Sequence, residues 1–158
     1  MQSETGSMQA ITIVIEPKGL RDSSPDYSYD ATVHCSPYQA VAPLSSDNNT
    51  SSLKWIVEIK WPFGERPIWA DGLSLIAPDF FKGNTKVSLF TAGLTVERAA
   101  SGPGVDMWIC EGEIQQGNEN LKGLYSYNII IEEAAHGKPD LKPLRRLHKI
   151  DPLLVLSG

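Results

Sequence analysis

The stretch "LKWIVEIKW", residues 53–61, decides the fold class of this chain. Its large apolar side chains recur at every second position, and they are Leu53, Trp55, Val57, Ile59 and Trp61. The positions between them carry Lys54, Ile56, Glu58 and Lys60. Because successive side chains of a β-strand point to opposite faces of the sheet, this alternation predicts a strand with one buried face.

Further segments along the chain have the apolar alternation or the β-branched and aromatic composition of short strands. They are residues 10–16, 27–35, 72–77, 85–97 with a break at Gly93, 105–114, 124–133 and 153–156. Tyr125, Tyr127, Ile129 and Ile131 are expected to share one face of their strand. No window of about a dozen residues keeps the apolar spacing of an amphipathic helix, although "PDFF" at 78–81 fits a single helical turn.

These segments predict an all-β fold of eight or nine strands. Short strands without crossover helices cannot form a parallel βαβ sheet, which leaves an antiparallel β-sandwich, immunoglobulin-like or of a related Greek-key type, with a small barrel as the alternative. The last strand follows Pro152 and is expected at a sheet edge, where proline is tolerated.

The length of 158 residues favours one domain that folds without disulfides or metal. Residues 1–9 are expected to be a disordered leader or tag remnant, and residues 10–158 the sandwich domain. The N-terminus lacks the basic and apolar parts of a signal peptide, which favours the cytoplasm; secretion is the alternative if the leader replaces a signal. No stretch has the roughly 18 apolar residues of a membrane span.

The net charge of -5 argues against nucleic acid as a partner. The charge is uneven, because residues 138–158 carry 5 basic and 2 acidic side chains. Within this basic tail, Lys142, Arg145, Arg146 and Lys149 are candidates for contact with an acidic protein surface. The alternative is a solvated loop whose cations pair with the acidic faces of the same molecule.

Sequence motifs of catalysis and of cofactor binding are not found. The histidines and cysteines have none of the spacings of zinc or type 1 copper sites, and no glycine-rich phosphate loop is present, so we predict no cofactor. No nucleophile elbow is present either. Glu111 and Glu113 share a strand face, either as an acid-base pair or as part of a solvated surface, and the second interpretation is favoured.

Cys35, Trp55 and Cys110 stand in an order that resembles immunoglobulin-like domains, in which a cysteine pair between two sheets flanks a buried tryptophan. The resemblance covers the middle of the chain, and Trp108 stands where that family has a tyrosine. It implies a sandwich fold, a core position for Trp55 and a Cys35–Cys110 disulfide. In a reducing cytosol the two cysteines are instead small buried side chains.

The segment "WPFGERPIWADG", residues 61–72, continues the decisive strand into a loop rich in proline and glycine. Phe63, Arg66 and Trp69 have the composition of an interface anchor, because aromatic residues and arginine are enriched at binding hot spots. The alternative is that these side chains only plug one end of the core.

We therefore predict a non-catalytic module that binds another protein or a second copy of itself, through the aromatic loop or an edge strand. A first alternative is a small-ligand protein or small hydrolase whose pocket combines Tyr125, Tyr127 and tryptophans with Glu111 and Glu113. A second alternative is a secreted carbohydrate-binding or adhesin-like domain, which a disulfide would support.

Overall fold

A computed structural model describes residues 5–17, 31–66, 70, 72–99, 102–116, 119–133, 145–150 and 152–157. The described residues form thirteen strands and two short 3-10 turns, Pro62–Gly64 and Glu119–Leu121. The strands are β1 Thr5–Pro17, β2 Ala31–Ser36, β3 Gln39–Pro43, β4 Asn49–Lys60, β5 Leu73–Ile76, β6 Phe80–Lys82, β7 Thr85–Val87, β8 Thr95–Ala99, β9 Val105–Glu113, β10 Gly123–Tyr127, β11 Ile129–Glu133, β12 Arg145–Ile150 and β13 Leu153–Ser157.

The first sheet has the strand order β2-β1-β4-β9-β8, with β4 at its centre. The predicted alternation in β4 is confirmed, because Leu53, Trp55, Val57 and Ile59 are fully buried while the side chains between them are partly exposed. This strand supplies much of the first sheet's contribution to the core.

The second sheet has the order β3-β13-β10-β6-β7, and the three-stranded sheet β12-β11-β5 continues it. Only Asn128 separates β10 from β11. Tyr125, Tyr127, Ile129 and Ile131 are all buried, as predicted, so one inward face runs through both strands.

An aromatic cluster joins the two sheets. The ring of Trp55 lies 5.6 Å from that of Tyr127 and 5.9 Å from that of Phe80, and Phe90 packs against Trp55 and Phe80. The indole nitrogen of Trp55 donates a hydrogen bond of 3.1 Å to the hydroxyl of Tyr127. This contact satisfies the polar group of each ring inside an apolar core.

The predicted all-β sandwich is confirmed, and the two sheets do not close into a barrel. The described residues form thirteen strands rather than eight or nine, because strands as short as β6 and β7 show no clear alternation, and the pairing is not purely antiparallel as expected. Both sheets are mixed, because β1 pairs in parallel with β4 and β3 pairs in parallel with β13. A parallel pair needs a crossover connection. Between β1 and β4 the described residues form β2 and β3, which lie on the path of this crossover.

Three local expectations differ from the structure. The last strand, β13, is not an edge strand, because it pairs with β10 on one side and with β3 on the other. The sequence of β3, "QAVAP", is too short and has too few large apolar side chains to be recognised as a strand. The predicted helical turn at 78–81 is wrong, since Phe80 begins β6 and pairs with Val87. Residues 5–9, within the expected leader, belong to β1 and pair with Asn49–Leu53.

Candidate functional site

The most exposed aromatic side chain among the described residues lies on the turn that follows β4. Phe63 is 100% exposed and occupies the middle of the 3-10 turn Pro62–Gly64. Its backbone has φ 59° and ψ 18°, in the left-handed region that residues with a β-carbon rarely adopt. Gly64 follows with φ 68°, which costs a glycine little.

A buried carboxylate fixes both ends of this turn. Asp106 on β9 is 1% exposed and accepts a hydrogen bond of 2.6 Å from the indole nitrogen of Trp61, at the start of the turn. Nε of Arg66, at its end, lies 2.9 Å from Oδ1 and 2.8 Å from Oδ2 of the same carboxylate. A third donor is Nη2 of Arg98, 2.6 Å from Oδ1.

Burial of Asp106 by itself raises the pKa of its carboxyl group. The hydrogen bonds from Trp61, Arg98 and Arg66 and the charge of Arg66 outweigh burial, so the pKa lies below the usual value of an aspartate. The group therefore stays ionised at neutral pH, and its charge holds two arginines in place.

A second turn, at residues 103–104, packs against the turn Pro62–Gly64. The backbone nitrogen of Trp61 donates a hydrogen bond of 2.8 Å to the carbonyl of Gly104. A β-carbon on Gly104 would lie 2.5 Å from Cα of Gly64, and Gly104 has φ 73°. The two backbones can approach this closely only because Gly104 has no β-carbon.

Arg98 connects this network to neighbouring parts of the fold. Its guanidinium lies 4.9 Å from the centre of the Trp108 ring, within the range of a cation-π contact. Nη2 of Arg98 also lies 3.4 Å from the carbonyl oxygen of Ala70. Neither Arg98 nor Asp106 was identified from the sequence, although Asp106 shares its strand face with the buried Trp108 and Cys110.

Of the predicted anchor residues, Phe63 and Arg66 lie in this site, and Trp69 lies outside the described residues. Arg66 is turned toward Asp106, which gives it a structural role; contact of Phe63 and Arg66 with a partner stays a prediction.

The basic tail is described only in part. Lys142 lies outside the described residues, whereas Arg145, Arg146 and Lys149 belong to β12. In the register with β11, Arg145 stands opposite Glu133 and Arg146 opposite Glu132. The predicted contact of the tail with an acidic partner stays a prediction.

The carboxylates of the alternative enzyme pocket lie apart from its aromatic residues. Tyr125 and Tyr127 are buried between the sheets, and burial raises the pKa of each phenol. Glu111 and Glu113 lie on the outer face of the first sheet, beside a cleft of 350 Å³. A more polar cleft of 490 Å³, lined in part by Ser46, Thr91 and Gln115, shares Glu113 with it.

The two cysteines are free thiols, so the disulfide that the immunoglobulin-like resemblance implied is not formed. Cys35 lies on β2 and Cys110 on β9 of the same sheet, with β1 and β4 between them. Three strand spacings amount to about 14 Å, twice the roughly 7 Å that a disulfide can bridge between Cα atoms.

Burial also makes both thiols poor nucleophiles. It raises the pKa of Cys35 to about 11 and, together with the charge of Glu111, that of Cys110 to about 12. The thiolate is the reactive form, and at these pKa values it is scarce at neutral pH.

No protein-family model, curated protein or solved structure matches this chain. Within the described residues, no helix has the length and apolar character to cross a membrane, and no three histidine, cysteine, aspartate or glutamate side chains cluster as metal ligands would. The fold and the site define a two-layered β-sandwich that presents one exposed phenylalanine on a turn held by a buried carboxylate.

Proposed function

We propose that the protein is a non-catalytic binding module that docks on a partner protein by inserting Phe63 into an apolar pocket of that partner. One observation carries the proposal: Phe63 is fully exposed on a backbone of φ 59°, at the tip of a turn fixed by Asp106. Phe63 contributes nothing to the core of its own molecule, and the left-handed backbone costs on the order of 1–2 kcal/mol. Strained, exposed positions of this kind concentrate at binding and switching sites.

The rigidity of the turn supports a docking role. Trp61, Arg66 and Gly104 hold the turn by side-chain and backbone hydrogen bonds, so little conformational freedom is left for binding to remove. A preorganised anchor loses less entropy on association than a flexible one. Burial of a phenylalanine side chain in a partner contributes about 1.5–3 kcal/mol.

The surroundings of Phe63 support a protein partner. Gly102 and Pro103 are exposed and precede Gly104, which packs against Gly64, while Glu65 and Arg66 provide polar groups next to Phe63 in the chain. An aromatic anchor with a polar rim is the usual composition of a protein-protein hot spot.

We also propose a reducing compartment such as the cytoplasm. The support is that Cys35 and Cys110 are free thiols and that the core needs no covalent staple. Titration of free thiols in protein from its native source tests this, and the absence of free thiols under denaturing conditions would contradict it.

Site-specific photocrosslinking in extract of the native host tests the docking proposal. A photoreactive phenylalanine analogue is introduced at position 63 and, in a matched control, at Tyr38, which is also an exposed aromatic residue on a different part of the fold. We expect one defined protein adduct from position 63, absent from position 38 and removed by excess unlabelled native protein. Equal adducts from both positions, or no adduct from position 63, would contradict the proposal.

A further inference from the structure

The outer face of the second sheet carries, on β3, β13 and β10, a continuous patch without charged side chains, and Lys86 on β7 lies beyond it on the same face. Val41 on β3 lies opposite Val155 on β13, and Val155 lies opposite Leu124 on β10, so the three form one row across the sheet. Val41 is 52% and Leu124 is 53% exposed. The outward positions of these three strands form the sheet patch: Gln39, Val41, Pro43, Leu124, Ser126, Leu153, Val155 and Ser157.

The first sheet differs in this respect. Its outer face carries charged side chains on four of its strands, and they are Glu16, Lys54, Glu58, Lys60, Glu97, Glu111 and Glu113. This is the usual surface of a sheet that faces water. The sheet patch has apolar side chains at its centre instead, as does a sheet face on which a second layer packs.

We propose that two copies of this chain associate face to face through the sheet patch. Near the axis of a two-fold dimer each position meets its own copy, so any charge there would face a like charge. The sheet patch carries no charge at any of its eight positions, although 21% of the residues of the chain are charged. Two such faces can stack as the sheets of a sandwich do, with side chains interdigitating at a separation of about 10 Å.

The size of the sheet patch predicts a weak dimer. Each outward position of a sheet covers about 33 Å² of its plane, so eight positions cover about 260 Å². Phe81 on β6 lies opposite Ser126 of β10 and extends the apolar area by one position. This area is far below the roughly 800 Å² per partner of a standard stable interface. We therefore expect rapid exchange between monomer and dimer, with association visible only at high concentration.

Sedimentation equilibrium over a concentration series, from about 10 µM to about 1 mM, covers the affinities expected for so small an interface. The mean mass should rise from the 17.3 kDa of one chain toward twice that value. Leu124→Lys should keep the protein monomeric over the whole range, because it introduces like charges into the interface. Met8→Lys is the matched control, since Met8 is 54% exposed on the other sheet, and it should associate like the native protein.

Val41→Lys provides a second variant in case Leu124→Lys does not fold. It lies in the same row on another strand and should have the same effect. A constant mass of one chain, or association by both patch variants equal to that of native protein, would overturn the proposal. So would loss of association in Met8→Lys as well. Phe63→Ala should associate normally, so this result is independent of the proposed docking by Phe63.

Discussion

The indole nitrogen of Trp61 donates a hydrogen bond of 2.6 Å to the carboxylate of Asp106, 45 residues further along the chain. The contact joins the end of β4 to the buried side of β9. Because Arg66 contacts the same carboxylate, the four residues between Trp61 and Arg66 form a closed turn rather than a loose loop. Exposure of Phe63 is therefore built into the fold.

Replacement of Asp106 by asparagine tests this network. Asp106→Asn removes the negative charge that holds Arg66 and Arg98. It also places an amide NH2 group, which is a donor, where the carboxylate accepted hydrogen bonds from the arginines. Since both arginines are partly exposed, we expect a loss of roughly 2–3 kcal/mol in the free energy of unfolding, below the 3–5 kcal/mol of a fully buried pair. Urea denaturation measures this loss.

Asp79→Asn is the matched control for that substitution. Asp79 pairs with Lys86 at 3.2 Å, and both side chains are exposed. The control should change the stability by less than about 1 kcal/mol, as for other surface ion pairs. An equal effect of the two substitutions would show that the Asp106 network does not stabilise the fold.

Acid should remove the contribution of Asp106. The pKa of its carboxyl group is lower in the folded chain than in the unfolded chain, where it is about 3.9. The stabilisation is therefore fully present above the unfolded value and is lost as the pH falls through the folded value. The stability difference between native protein and Asp106→Asn, measured by urea denaturation, should be largest near neutral pH and shrink below about pH 4. A difference that stays constant down to about pH 2 would contradict this linkage.

Substitutions at two glycines with positive φ distinguish the cost of backbone strain from the cost of a steric clash. Gly104 and Gly83 have φ of 73° and 64°, but a β-carbon meets Gly64 at 2.5 Å only at Gly104 and meets no atom within 4 Å at Gly83. Gly83→Ala should cost about 1 kcal/mol from its backbone alone. Gly104→Ala should cost at least about twice as much, because the turn that carries Phe63 must move. Equal melting temperatures of the two variants would show that the two turns are not locked together.

Relief of strain at position 63 should stabilise the protein. Asparagine adopts the left-handed conformation more readily than phenylalanine, and no packing is lost because the ring is fully exposed. Phe63→Asn should raise the stability by up to about 1 kcal/mol, or about 2–4 °C in melting temperature for a chain of this size. Phe63→Ala keeps a β-carbon and should leave the melting temperature nearly unchanged. A lower melting temperature of Phe63→Asn would contradict the strain.

The sandwich could be predicted from the sequence because the buried face of each major strand is visible in its pattern of apolar residues. In residues 53–61 and 124–133 the alternation of large apolar side chains is regular enough to identify both the strand and its inward face. Such a pattern does not show which strands pair with each other. The parallel pairing of β1 with β4, and the position of β13 between β3 and β10, depend on residues far apart in the chain.

The candidate site was predicted only in part. Phe63 and Arg66 were identified from the composition of their loop, but composition does not reveal which carboxylate fixes the loop. A signal was present in β9, where Asp106 occupies the inward alternation of Trp108 and Cys110. A charged residue at a core position needs a partner, and Arg98 has the matching place on β8, opposite Trp108.

Displacement of the partner by Phe63 variants tests the central claim most directly. The protein captured by crosslinking at position 63 is bound to labelled native protein, and unlabelled native protein, Phe63→Ala or Phe63→Asn is added as competitor. Loss of a buried aromatic anchor costs at least about 2 kcal/mol, so both variants should compete at least about 30-fold more weakly than native protein. Both should do so while folded at least as stably. Competition by Phe63→Ala and Phe63→Asn equal to that of the native protein would show that the partner does not bind through Phe63.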